Sequence, residues 1–169
     1  MSIRSLIAGL AASGSRFVVV GMAAGQIYGS RYATEDLDVV YDTSAANVDL
    51  LYRYLTAVDA YIKETWPTEG LARELQRRDL VREKSLTLGT REGELDVLHR
   101  IDGVGDFSAV LAASTPLRLE GMDGVRIISL PALIASKRAS GREKDKLHVP
   151  ELEAILELRK RADPDAHQP

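Results

Sequence analysis

Apolar and polar positions change period several times along this chain, and each change marks an element. Ser2 to Ala12 repeats its apolar residues at helical spacing, which predicts a short amphipathic helix. Phe17 to Val20 is an apolar run rich in β-branched residues, fit for a buried strand, and Gly21 ends it. From Met22 to Gly29 the pattern is helical. Gly25 and Gly29 lie one turn apart on one side, where missing side chains let the helix approach another backbone. Asp36 to Tyr41 alternates as a strand does, and Val48 to Tyr61 and Glu69 to Arg78 read as helices. Ser85 to Leu88 and Glu94 to His99 read as strands joined by the turn "GTREG". Leu117 to Glu120 and Val125 to Ser129 form a second such pair around "GMDG". Leu130 to Gly141 and Pro150 to Arg161 close the pattern as helices, the second with proline in its first turn. Helices and strands interleave without regular βαβ spacing, which predicts an α/β (α+β) architecture, a mixed sheet with flanking helices.

Size and composition narrow the picture. At 169 residues the chain is long enough to bury a core as one domain, expected over residues 1–162 with C-terminal helices from about 130. The tail 163–169 contains two prolines and little that is apolar, so fraying is expected there. A hydrophobic share of 45% with 28% charged residues excludes a wholly disordered chain. The net charge of -3 argues against broad, sequence-independent binding of nucleic acid, while a local basic patch stays open. With no cysteine there is no disulfide framework and no thiolate zinc site, which fits a reducing cytoplasm. The apolar start is split by Ser13-Gly14-Ser15 and Arg16 into pieces too short to span a bilayer, so no membrane partner is expected.

Candidate chemistry sits inside the apolar pattern. Asp36 and Asp38 are at i and i+2 of a strand, so they share a face roughly 6.5 Å apart. Side by side in an apolar setting, two carboxylates repel each other and lose hydration unless a cation or donors compensate. Hard, oxygen-seeking Mg2+, held by carboxylates and substrate phosphates together, meets that need, with Mn2+ as its alternative. The competing reading leaves both aspartates hydrated at a strand end. Gly21, at a strand-to-helix junction, presents backbone N–H groups and a positive helix end to a phosphate. The Gly-x-x-x-Gly-x-x-x-Gly spacing matches neither the dinucleotide fingerprint nor the phosphate loop. Asp96 interrupts a second apolar strand and is a candidate third metal ligand or a general base. A calcium loop over "DLDVVYD" is excluded, because Val40 stands at its fifth position and no glycine follows. In "SLPALIASKRASGREKDKL", the basic residues Lys137, Arg138, Arg142, Lys144 and Lys146 gather after an apolar helix. A solvated face explains most such runs, yet the Lys137 stem can lie on the core while its ammonium reaches a phosphate.

The stretch "VVVGMAAGQIYGSRYATEDLDVVYD" resembles the signature of the DNA polymerase beta-like nucleotidyltransferase superfamily: glycine at a strand end, a short helix, then Arg, Thr and two Asp leading into a strand. "SLPALIASKRASGREKD" is similar to the downstream segment of small bacterial members, including abortive-infection and MenT-type nucleotidyltransferase toxins. Together they cover about two-thirds of the chain. The resemblance implies a nucleotidyltransferase-like fold, an NTP substrate, and an acceptor hydroxyl on a tRNA end, a protein or a small molecule. An antitoxin protein is then a further partner. It also implies that Asp36 and Asp38 are metal ligands and that Gly21, Met22, Arg31, Thr34, Lys137 and Arg142 line the nucleotide site. Either Asp96 or Asp145 is the third carboxylate. Met22 departs from the pattern, since the superfamily places Gly or Ser there. A long side chain at that position opens the alternative of a degenerate, catalytically silent fold that binds nucleotide or protein.

Overall fold

The computed structural model describes residues 3–63, 71–82, 84–117 and 124–162. The chain opens with α1 (Ile3–Ala12), β1 (Phe17–Val20), α2 (Gly21–Tyr28), β2 (Asp36–Tyr41) and α3 (Ala45–Ala57). Short strands β3 (Tyr61–Lys63) and β4 (Ala72–Glu74) and a 3-10 turn (Arg77–Asp79) lead to β5 (Leu86–Thr90) and β6 (Gly93–Leu98). A small ribbon, β7 (Arg100–Ile101) with β8 (Gly105–Asp106), precedes α4 (Phe107–Ala112). The chain then forms β9 (Ser114–Pro116), β10 (Arg126–Ile128), α5 (Leu130–Ser140) and α6 (Glu143–Ala162).

Eight strands form one mixed sheet in the order β4-β3-β5-β6-β2-β1-β10-β9. The β2–β6 and β1–β10 pairs are parallel and the others antiparallel. Alternation sends Leu37, Val39, Leu95, Val97 and Leu88 to one face, where α1 packs and Leu6 approaches Gly93. Asp36, Asp38, Glu94 and Asp96 go to the other face, because residues paired across strands share a side. There α2 and α5 pack together and α6 packs on α5. The mixed sheet flanked by helices is the architecture the alternation predicts. Among the described residues, no helix is long and apolar enough to cross a membrane.

Several expected elements are corrected. The helix expected to reach Tyr61 stops at Ala57, and Asp59 turns the chain with a positive φ of 55° that aspartate tolerates better than most residues. Tyr61 then enters β3. Where a helix was expected over Glu69 to Arg78, residues 71–78 hold β4 and the start of the 3-10 turn. Pairing of β4 with β3, and both oxygens of buried Asp79 bonded by Arg73, override the local pattern. Glu69 and Gly70 lie outside the described residues. The partner of β10 is Ser114–Pro116, earlier than Leu117, and 118–123 also lie outside. The last helix begins at Glu143, not Pro150. Gly141 takes φ 63° and ends α5, and acidic Glu143 and Asp145 occupy the first turn of α6, where its dipole favours them. Gly29 caps α2 in the left-handed region, where an added Cβ would meet nothing within 4 Å among the described residues, whereas a Cβ at Gly25 would meet Met22 and Leu152. The tail 163–169 lies outside the described residues.

Candidate functional site

Three neighbouring strands build an acidic cluster. Parallel register sets Asp38 of β2 opposite Asp96 of β6, and Asp36 opposite Glu94, at the strands' N-terminal ends. Antiparallel β1 brings its last residue, Val20, beside Asp38, so the chain turns into α2 directly over that carboxylate. Gly21 makes the turn with φ 62°, and a Cβ there would collide with the Asp38 carboxyl group. Glycine is therefore required on two counts. Among the described residues, no side chain caps α2 at Val20.

One carboxylate oxygen from each of Asp36, Asp38 and Asp96 lies within 4.8 Å of the other two. Thr34 donates its hydroxyl hydrogen to Asp36 Oδ1. Burial pushes the Asp38 carboxyl up to about 7, with further increases from Asp96 and Asp36 that Lys137 and Lys144 only partly offset. Burial also raises Asp96, and a hydrogen bond from Thr87 works against it. Asp96 Oδ1 is buried with no hydrogen-bond partner among the described residues. An all-oxygen donor set, mutual repulsion and an orphaned oxygen fit a hard divalent cation.

A second buried acid lies next to the first group. Asp145 is fully buried and accepts from Lys137 Nζ at 2.5 Å, Arg142 Nε at 2.7 Å and the Ser140 hydroxyl. Burial acts to raise its carboxyl, but these three donors overcome it and bring it down to about 2. A small cavity of about 70 Å³ joins the two acids, lined by Gly21, Asp38, Lys137, Arg142 and Asp145 among others. Lys137, expected to reach a phosphate, is itself buried and committed to Asp145.

Other expected residues lie apart. Arg31 extends into solvent and pairs with Glu151 at 3.2 Å, and Ser30 bonds the same carboxylate. The Met22 side chain is buried and folded back over Gly25 in its own helix, outside the cavity lining. Two residues of this region were missed by the sequence pattern. Glu94 repeats with Asp96 the i, i+2 spacing of Asp36 and Asp38, which was a readable signal. Lys63 on β3, ion-paired with Glu94, had none, because a non-local strand order brings it there.

No family model matches the chain, and no curated protein matches it significantly. Among solved structures, similarity is found to a provisionally assigned nucleotidyltransferase of Helicobacter pylori, at 21% identity and TM-score 0.43, over 80% of this chain and 54% of that one. JHP933 of Helicobacter pylori is similar at 20% identity and TM-score 0.42, over 80% of this chain and 52% of that one. This chain spans about half the length of both.

Proposed function

We propose that the protein is a Mg2+-dependent nucleotidyltransferase that moves a nucleoside monophosphate from an NTP to an acceptor hydroxyl. The observation that carries this reading is the meeting of Asp36, Asp38 and Asp96 within 4.8 Å under the first turn of α2. Asp36, Asp38 and Asp96 would hold the cation, which when bound supplies Lewis-acid polarisation of the α-phosphate and charge neutralisation, with Mn2+ as its substitute. The N–H groups at the start of α2 bind triphosphate oxygens, because they lack a side-chain cap and sit at the positive helix end. Arg142, 62% exposed beyond its bond to Asp145, offers the same phosphates a mobile cation. The Asp96 carboxylate oxygen that the cation leaves free accepts the proton of the acceptor hydroxyl as the hydroxyl oxygen bonds to the α-phosphorus. The bond from that phosphorus to the bridging oxygen breaks, and pyrophosphate leaves. Acceptor choice, whether tRNA end, protein or small molecule, and any toxin role with an antitoxin partner, rest on loops outside this chemistry.

A second reading has its own support. The cavity of about 70 Å³ is far smaller than a triphosphate, and Lys137 is fully engaged by Asp145. The occupied lysine suits a catalytically silent module that binds nucleotide or protein, and the small cavity favours protein as what it binds. Thermal shift with each NTP, with and without Mg2+ or Mn2+, followed by transfer of labelled NTP, separates the readings. Metal-dependent stabilisation with transfer supports the enzyme, stabilisation without transfer supports the module, and no shift with any nucleotide refutes both nucleotide readings.

A further inference from the structure

The face that carries the acidic cluster continues past β6 onto β5 and β3. Cross-strand pairing sets Asp38, Asp96 and Thr87 in one row, and Asp36, Glu94, Gly89 and Tyr61 in the next. Neighbouring strands are about 4.8 Å apart, so the rows extend the cluster sideways without a break. The Tyr61 ring lies over Gly89, where a Cβ would strike it. Lys63, two residues along β3 from Tyr61, shares that face and reaches back to bond Glu94 with its ammonium group. Asp96 and Tyr61 add to the attraction that holds the proton on Lys63, after the Glu94 hydrogen bond itself. Four carboxylates therefore share one face, three of them within 4.8 Å of one another, and the Lys63 ammonium stands beside them on Glu94.

The two flanks of the cluster differ. On the α5–α6 side are Gly21, the uncapped first turn of α2 and the exposed Arg142, which suit the leaving phosphates. An in-line displacement at phosphorus puts the attacking oxygen on the opposite side, toward β6, β5 and β3. In a two-cation site, one ion stands by the leaving group and one by the nucleophile.

We infer that Lys63, held by Glu94, is the resident cation of the acceptor flank, occupying the place of a second divalent ion so that the carboxylates bind one. This rests on the metal-site reading above. Lys63 acts as a positioning charge: its ammonium neutralises Glu94 and favours negative charge developing on an incoming hydroxyl oxygen beside Asp96. Its side chain is 37% exposed and that of Glu94 50%, so removing the charge leaves hydrated carboxylates free to bind metal without disturbing the core.

The test is metal stoichiometry, with Mn2+ alone as the probe, counted by calorimetric titration and by loss of the free Mn2+ electron-spin signal. Wild type should take one Mn2+ per chain, Lys63→Gln should take two, and Lys63→Arg, which keeps the charge, should return to one. Lys63→Gln with Glu94→Gln should also return to one, because the freed carboxylate is gone. A wild type that binds two ions, or a Lys63→Gln protein that still binds one, overturns the inference while leaving the metal site standing. A wild type that binds none, with Asp38→Asn indistinguishable from it, removes the metal reading and the inference with it.

Discussion

Asp145 and Asp38 line the same small cavity, yet their surroundings act in opposite directions. Around Asp145 the chain supplies Lys137, Ser140 and Arg142, and the carboxylate stays ionised down to about pH 2. Around Asp38 it supplies two more carboxylates, whose repulsion the Lys137 and Lys144 charges only partly offset, and ionisation is held off until about pH 7. One acid has its counter-charges built in, and the other is buried chiefly among like charges. The contrast gives the α5–α6 junction structural work and, under the proposed reading, leaves cation binding to the acids of β2 and β6 in the middle of the sheet. It also explains why Lys137, read from the sequence as a phosphate contact, is occupied elsewhere.

The largest expected effect breaks the satisfied half. Asp145→Asn leaves the Lys137 ammonium buried against a neutral amide and should cost about 3–5 kcal/mol, as loss of one partner from a buried ion pair does. Urea unfolding at neutral pH measures it. A cost near zero would mean the pair is hydrated in solution and the contrast is false. Asp38→Asn should do the reverse in metal-free protein, stabilising it by on the order of 1–3 kcal/mol at pH 8, because it removes an ionised group that the fold disfavours.

The same contrast fixes the pH dependence. Asp38 has a folded value raised above 3.8 to about 7, so its favourable contribution is complete below about pH 4 and is lost as pH rises through 7. Asp145 has its value lowered to about 2, so its contribution is complete above about pH 4 and is lost as pH falls through 2. Metal-free protein should thus lose stability between pH 4 and pH 7, and Asp38→Asn should flatten that limb while leaving the acid limb below pH 4 unchanged. Urea midpoints across this range are the measurement, and an unchanged upper limb in the variant would refute the assignment to Asp38.

A smaller effect sharpens the unsatisfied half. Mg2+ or Mn2+ at roughly 100 times its dissociation constant should stabilise wild type by about 2–3 kcal/mol through mass action, and Asp38→Asn should lose most of that gain. Differential scanning calorimetry reads both. Equal stabilisation of the two proteins would place the bound ion elsewhere.

What the sequence disclosed follows the same division. Asp36 and Asp38 were legible because polar residues interrupt a period-two apolar strand, and Gly21 because it ends one. Partners joined by tertiary structure were not. Lys63 and Glu94 meet only because β3 lies beside β5, in an order that departs from sequence. The strand β4 has three exposed residues and no alternation to read, and Arg73 bonded to Asp79 holds that segment out of the helix its composition suggests. Pro150 was a plausible helix start, but the left-handed Gly141 and the acids after it set the true one, and the exposed proline is carried inside α6.

The smallest effect concerns Met22, where this chain departs from the pattern it resembles. Its side chain is buried at 5% exposure and packed on Gly25, so it fills space inside the fold and leaves the first turn of α2 open toward Asp38. The N–H groups of that turn do not depend on the side chain that follows them. Met22→Ser should therefore leave the affinity for Mg-ATP within a few-fold. Its cost should appear in stability, about 2 kcal/mol or more, because a buried thioether is replaced by a cavity and a hydroxyl. Calorimetric titration beside urea unfolding distinguishes the two effects. A gain in affinity equivalent to about 1 kcal/mol or more would mean that a regained hydroxyl reaches the phosphates. Met22 would then be a defect of the site, and the silent module would become the better reading.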